Sequence, residues 1–196
     1  TQKAFNLADR YQIPVFVLSD QYFIDSYYNL PPFDLAGTQN PDPVIQTATD
    51  YKRYAFTEDG VTPRGIPGLG DGLVVVDSDE HDEEGHITED LNGVAARMIE
   101  KRLRKARALR EAIALPEFHN VEEAELVLMG WGSSRAAILE ALDLLAADGL
   151  KAGMIHFTEV WPLPEVRFPP DKQYWVVESN AAGQLARLLA GEYGLP

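Results

Sequence analysis

The second half of this sequence predicts a small α/β domain with a largely parallel sheet, and the first half predicts a unit that begins inside a fold, on a helix feeding a core strand. Three observations carry this. Short apolar runs at residues 126–129, 152–157 and 174–177 alternate with helical patterns at 135–147 and 182–193, the order that gives parallel strands with helices on the sheet faces. Turn formers separate the runs: Gly130-Trp131-Gly132-Ser133-Ser134, then Gly149, then the Pro-rich stretch 161–170. Pro116 closes a long helical pattern and residues 117–123 read as a polar link, so the chain divides into residues 1–118 and 119–196.

The chain opens on Thr1, and Ala4, Phe5, Ala8 and Tyr11 follow helical spacing. Pro14 ends that helix, and residues 13–20 (IPVFVLSD) read as a short buried strand. A start on a helix feeding a core strand is expected of a fragment of something longer, a processed natural terminus being the alternative. Residues 29–43 are rich in Pro and turn formers, which predicts a long surface loop or strap, or else a disordered insertion. Residues 73–76 (LVVV) read as a strand entered through the turn residues Gly68, Gly70 and Gly72. A dinucleotide fingerprint follows a strand and opens a helix, whereas these glycines precede the expected strand.

Next comes an acidic loop. Asp77, Asp79, Glu80, Asp82, Glu83, Glu84, Glu89 and Asp90 surround His81 and His86. The pattern Asp77-x-Asp79-x-His81 begins like a calcium loop. Such a loop needs Gly at its sixth position and Glu at its twelfth, where Asp82 and Thr88 stand. The two histidines also lack metalloprotease or zinc-finger spacing, so no metal site is expected. Carboxylates favour a protonated imidazole, which makes His81 and His86 candidate proton donors; local ion pairing is the equal alternative. Thr88 reads as the cap of a helix over 91–114, with Glu89 and Asp90 in its first turn. The helix carries an apolar stripe of Val94, Ala95, Met98, Leu103, Ala106, Leu109 and Ile113. Arg97, Lys101, Arg102, Arg104, Lys105, Arg107 and Arg110 read as its solvated face, neutralised by nearby acids, with a partner-binding face as the alternative.

Gly130, Gly132 and Ser133 follow a strand and open a helix, so their backbone N–H groups are an anion-site candidate. Arg135 replaces the third glycine of the dinucleotide pattern, and capping is the plainer role for Ser133 and Ser134. His156 lies within a strand and reads as a core residue. The sequence has no cysteine, which removes disulfides, thiol nucleophiles and iron–sulfur ligation. Seventeen basic and 31 acidic residues give a net charge of −14, unfavourable for nucleic acid or anionic membranes. No apolar run approaches the roughly 20 residues of a membrane span, and a cytoplasmic setting is expected.

Several segments resemble the alpha subunit of the 2-oxoacid:ferredoxin oxidoreductases, most like those of the 2-oxoglutarate type. They are Tyr51-Lys52-Arg53-Tyr54, then residues 57–68 (TEDGVTPRGIPG), and above all 77–83 (DSDEHDE) with 85–90 (GHITED). Val177-Glu178-Ser179-Asn180 and residues 183–189 (GQLARLL) add a separate match. The resemblance covers essentially the whole chain.

It implies the end of a pyrimidine-side domain of a thiamine-diphosphate enzyme over residues 1–118, including the acidic loop and linking helix. A transketolase C-terminal-like domain is implied for 119–196. The implied reaction is oxidative decarboxylation of a 2-oxo acid to an acyl-coenzyme A. It uses thiamine diphosphate, magnesium and iron–sulfur clusters in the complete complex, with coenzyme A as co-substrate and ferredoxin as electron acceptor. The implied partners are the beta subunit, ferredoxin and a second copy of the complex. The family's Tyr-Pro-Ile-Thr-Pro segment, its Gln-Arg-x-Gly-Pro stretch, its magnesium–diphosphate motif and its cluster cysteines are not in this sequence. The fragment alone is therefore expected to bind none of these cofactors and to be inactive. His81, His86 and Arg64 are its catalytic candidates. The alternatives are a non-catalytic scaffold or dimerisation module, or a small-molecule or metal-binding α/β domain.

Overall fold

A computed structural model describes residues 1–39 and 41–195. In chain order its elements are α1 (Gln2–Tyr11), α2 (Gln21–Asp25), β1 (Val44–Thr47), β2 (Arg64–Gly70), α3 (Val94–Ala112), β3 (Glu117–His119), β4 (Leu126–Trp131), α4 (Ser134–Ala147), β5 (Ala152–Phe157), β6 (Gln173–Val176) and α5 (Gln184–Tyr193). They form two compact units: Thr1–Val17 with Asn29–Leu109, and Leu18–Tyr28 with Arg110–Pro196.

In the first unit, α1 ends at Gln12, whose φ of 52° is left-handed, and the Ile13 N–H returns to the Ala8 carbonyl, a helix-closing pattern. The buried Tyr11 hydroxyl donates to the Ala108 carbonyl at 3.1 Å. The expected strand at 13–20 is absent: Phe16 is 81% exposed and pairs with no strand among the described residues. The apolar run there carries no regular secondary structure. The expected loop at 29–43 is irregular apart from a turn, and Gln2 and Asn6 both donate to the Gln39 carbonyl. Asn40, within that loop, lies outside the described residues, as does Pro196 at the end of the last helical pattern.

The expected strand at 73–76 is also absent, with Leu73 and Val76 exposed. The strand is instead the glycine-rich segment before it, β2, parallel to β1. Two of its glycines, Gly65 and Gly70, permit close approach to Thr47. A Cβ at Gly65 would lie 2.4 Å from Thr47 Cγ2, and one at Gly70 would lie 2.4 Å from the Thr47 backbone nitrogen. Thr47 is buried, donating to the Leu69 carbonyl at 3.0 Å and accepting from the Gly72 N–H at 3.2 Å.

The second unit contains a four-stranded sheet ordered β3-β5-β4-β6. β4 pairs in parallel with β5 and β6, as expected, and β3 adds an antiparallel edge through Phe118↔Ile155. β3 occupies the stretch expected as a polar link; a three-residue edge strand carries no apolar pattern to announce it. Side chains of β4 alternate between faces. Val127 and Met129 join Ile155, Phe157, Leu163, Leu185 and Leu189 on one face. Leu128 joins Met154, Ile138 and Leu142 on the other. Burial on both faces is why β4 reads as a continuous apolar run. Each fully buried side chain of this kind contributes about 1.5–3 kcal/mol.

The Glu178 carboxylate closes the start of α5. It accepts from the Leu185 N–H at 2.9 Å and the Ala186 N–H at 3.2 Å, and Asn180 accepts from Gln184 at 3.1 Å. The Val177–Asn180 motif is thus a helix-capping device. Burial pushes the Glu178 carboxyl up, but its bonds from Leu185, Asn180 and Ala186 outweigh that and hold it below its ordinary range.

Candidate functional site

The site in the first unit is built on α3. Asp90, rather than the expected Thr88, caps this helix: its carboxylate accepts from Gly93 at 2.9 Å and Val94 at 3.2 Å. The Thr88 hydroxyl instead accepts from the Asp90 N–H, which places the longer carboxylate within reach of the helix start. The buried face then reads Ala95, Met98 and Lys101, a three-residue spacing whose third member is a cation. Leu103, expected inward, is 56% exposed. The solvated-face expectation therefore fails at Lys101, which is 7% exposed, and at the partly buried Lys105.

Lys101 is held by neutral oxygens. Its Nζ donates to the Tyr54 carbonyl at 2.9 Å and to Thr62 Oγ1 at 2.6 Å, while Thr62 donates onward to the Ala55 carbonyl at 2.8 Å. Burial, followed by the neighbouring charges of Lys105 and Arg53, brings the Lys101 ammonium down to about 8. Gly60, at φ 79°, admits the helix backbone: a Cβ there would lie 2.3 Å from the Lys101 carbonyl oxygen and 2.6 Å from the Lys105 nitrogen. The Glu58-Asp59-Gly60-Val61-Thr62 run is thus the seat of α3.

The acidic loop docks on Tyr54. The Tyr54 hydroxyl donates to the Asp77 carbonyl at 3.3 Å and accepts from the Asp77 N–H at 3.2 Å. The His81 ring lies 3.8 Å from the Tyr54 ring. His81 Nδ1 is 2.7 Å from the Asp79 carbonyl; because a carbonyl only accepts, Nδ1 carries a proton. Glu83 ties the loop back, accepting from the Phe56 N–H at 3.0 Å, and Glu80 pairs with Arg102 at 2.8 Å. Much of the loop's charge is therefore committed to holding its own path.

The three catalytic candidates are not brought together. His81 is buried and lines a cavity of about 140 Å³ with Tyr54, Lys101, Arg53, Arg102 and Lys105. His86 is exposed, 3.6 Å from Asp82 and 3.7 Å from Glu84. Arg64 lies on β2 and pairs with Asp9 at 2.8 Å. Asp82, Glu84 and His86 bring ligand atoms within 4.8 Å of one another. Yet Asp82 accepts from the Glu84 and His86 N–H groups, both at 2.9 Å, and Glu84 pairs with Lys52 at 3.0 Å. Lys101 and Lys105 went unrecognised in the sequence because helical periodicity assigned them outward; their spacing from Met98 was the available signal.

The Gly130–Ser134 turn in the second unit has its own partners. The Ser133 hydroxyl does not cap α4; it donates to the Asp20 carboxylate, which is itself held at the start of α2 by the Phe23 N–H at 2.8 Å. The Ser134 hydroxyl donates to the Trp131 carbonyl at 2.8 Å. A Cβ at Gly130 would lie 2.4 Å from Ile138 Cδ1, so this glycine answers to helix–strand packing. Arg135 is bidentate to Glu117 at 2.7 Å. His156 is buried and bonded to the Gly132 carbonyl through Nε2 at 3.0 Å. Its Nδ1 has no partner among the described residues, and burial lowers its proton affinity. Of the three turn candidates, Ser133 thus already faces an internal carboxylate.

The parallel β1–β2 pair, the mixed four-stranded sheet and the helices around them make this an α/β protein. Residues 1–101 match the family described as "Pyruvate flavodoxin/ferredoxin oxidoreductase, thiamine diP-bdg", and the chain belongs to that family. It is 35% identical to the "2-oxoacid:ferredoxin oxidoreductase 2, subunit alpha" of Aeropyrum pernix, over 95% of this chain and 30% of that protein. It is 25% identical to the "2-oxoglutarate synthase subunit KorA" of Methanothermobacter thermautotrophicus, over 84% of this chain and 44% of that protein. The chain thus spans less than half the length of these relatives. Among solved structures, it is similar to the 2-oxoglutarate:ferredoxin oxidoreductase from Magnetococcus marinus with 2-oxoglutarate, coenzyme A and succinyl-CoA bound. The TM-score is 0.71 at 28% identity, covering 95% of this chain and 34% of that one.

The family description names thiamine diphosphate, a cofactor whose diphosphate is expected to carry magnesium. Magnesium is held by carboxylate and other oxygen ligands, whereas the Lys101 cavity is walled by cations that oppose a metal. The Asp82–Glu84–His86 group is exposed on one loop. Among the described residues neither constellation fits the metal-bound cofactor. No helix of the described residues is long and apolar enough to cross a membrane.

Proposed function

We propose that this chain is part of the alpha subunit of a thiamine-diphosphate-dependent 2-oxoacid:ferredoxin oxidoreductase that forms acyl-coenzyme A, with 2-oxoglutarate as its 2-oxo acid. The observation that carries this reading is the 0.71 TM-score likeness over 95% of the chain. The folded acidic loop supports it, since the residues that resemble the family are those that lock onto Tyr54 and Arg102. Residues 1–118 then belong to a pyrimidine-side domain and 119–196 to a transketolase C-terminal-like domain. The beta subunit supplies magnesium–diphosphate contacts, and the clusters that pass electrons to ferredoxin lie elsewhere in a cytoplasmic complex that pairs with a second copy.

Within that enzyme the chain's role is structural and at subunit interfaces. The exposed aromatic residues Tyr22, Phe23, Tyr27 and Tyr28 of the second unit support this. An apolar surface of that kind marks contact with further polypeptide. The test is to purify the complete complex and assay 2-oxoglutarate-, coenzyme A- and ferredoxin-dependent acyl-coenzyme A formation. Activity with 2-oxoglutarate above pyruvate is expected; no turnover with any 2-oxo acid would overturn the reading. Substituting His86 and Arg64 in the same complex separates the roles. Retained turnover and coenzyme A affinity support a structural chain, and their loss places these side chains at the reacting centre.

A further inference from the structure

We propose that the cavity enclosed by Arg53, Lys101, Arg102, Lys105 and His81 is a binding site for a metal-free phosphate group, either free or carried on a larger ligand. Of the acidic-loop candidates only His81 lines it, His86 lying exposed beside Asp82 and Glu84. Its walls come from five stretches of the first unit: the end of α1 at Tyr11 and Gln12, the Arg53–Tyr54 turn, the Gly60–Thr62 seat, His81 and α3. At about 140 Å³ it is several times the ~30 Å³ share of one liquid water, roomy enough for a tetrahedral oxyanion.

The charge account points to an anion. Four cations line the cavity, and the carboxylates bearing on it are Glu80 and Glu83. Glu80 is committed to Arg102 at 2.8 Å and Glu83 accepts from the Phe56 N–H at 3.0 Å. Lys101 spends two of its protons on neutral oxygens, at 2.6 and 2.9 Å. Among the described residues neither Arg53 nor Lys105 makes an ion pair. Arg53 instead lies 5.3 Å over the Tyr54 ring.

Arg53 and Lys105 stand with Lys101 and Arg102 around one cavity. Clustered, partly desolvated like charges are unfavourable unless something neutralises them. Burial is the main cause of the Lys105 ammonium's reduced proton affinity, and Arg53 and Arg102 lower it further. Repulsion among these side chains is thus felt in the folded unit. Arginine and lysine together suit phosphate oxygens, with Arg53 offering a fork and Lys105 a point charge.

The test is titration calorimetry of the complete subunit carrying this chain, using inorganic phosphate, adenosine 5′-monophosphate and, as a control anion, chloride. Phosphate is expected to bind saturably and to raise the thermal midpoint. Lys105→Met and Arg53→Gln are each expected to weaken it at least ten-fold, and Lys105→Arg to retain it. Stronger binding of the monophosphate than of phosphate identifies the group as part of a larger ligand; the reverse identifies free phosphate. If Lys105→Met does not fold, Arg53→Gln and the Lys105 side-chain NMR signal on phosphate addition decide. Absence of saturable binding by both probes, or binding unchanged in the folded variants, overturns the proposal.

Discussion

The His81 ring lies 3.8 Å from the Tyr54 ring at a tilt of 35°, and this contact fastens the acidic loop to the first unit. Tyr54 acts from three sides: its hydroxyl bonds Asp77, its ring faces His81, and its carbonyl accepts from Lys101. Aromatic contact of this kind adds about 0.5–1.5 kcal/mol beyond burial, so one side chain governs how the family's most recognisable segment is held.

Tyr54→Phe keeps the ring and removes only the hydroxyl bonds, which is expected to cost about 1 kcal/mol. Tyr54→Leu removes the ring contact as well and is expected to cost about 2–3 kcal/mol. Urea unfolding of the complete subunit measures both. Equal losses for the two variants would show that the ring contact contributes nothing.

Lys101 gives the first unit an alkaline signature. Its folded value near 8 lies below the unfolded value of about 10.4. Between these values the unfolded chain holds the proton and the folded chain has shed it, so stability rises with pH across that window. The full effect is at most about 3 kcal/mol. Other groups also titrate there, so the reading is a difference: Lys101→Met is expected to lack this rise. Parallel pH profiles for the two proteins from 7.5 to 10.5 would refute it.

Gly60 tests the seat of α3. Alanine there meets a positive φ and two backbone atoms of the helix, the nearer at 2.3 Å. Backbone atoms cannot swing aside as a flexible side chain can, so Gly60→Ala is expected to lose at least about 2 kcal/mol. Gly68, also at positive φ but with nothing near its Cβ position, is the comparison. Gly68→Ala should lose about 1 kcal/mol from backbone strain alone. Thermal unfolding of both variants ranks them, and a larger loss at Gly68 would contradict the close approach at Gly60.

The sequence was legible where burial and periodicity agree. β4 and β5 are continuous apolar runs because each is covered on both faces, and their helices carry the expected spacing. It misled where these part. Residues 73–76 are as apolar as any strand, yet Leu73 and Val76 lie exposed. β2 hides among glycines because its role is to let Thr47 approach. Lys101 breaks the apolar stripe of α3 while occupying a buried position in it, and its partners are a carbonyl and a hydroxyl that no spacing rule reveals. The acidic loop was legible as a family segment, but not as a docked one, since its anchor Tyr54 stands 23 residues before Asp77.

Glu178 offers the opposite pH test in the second unit. Its carboxylate accepts the first free N–H groups of α5, and its folded proton affinity is below the ordinary value even though burial works the other way. A depressed carboxyl contributes stability above its unfolded value, about 4.3, and that stability is lost as pH falls through the lower folded value. Glu178→Gln keeps one acceptor oxygen and removes the charge, so it is expected to cost about 1 kcal/mol at pH 7. The gap should close as pH falls below about 4.3, where the wild-type carboxyl begins to take up its proton in the unfolded chain. Chemical unfolding of both proteins at pH 7 and at successive steps down to pH 3 checks this. A gap that stays constant with pH would show that the capping bonds, and not the carboxylate's charge, set the contribution of Glu178.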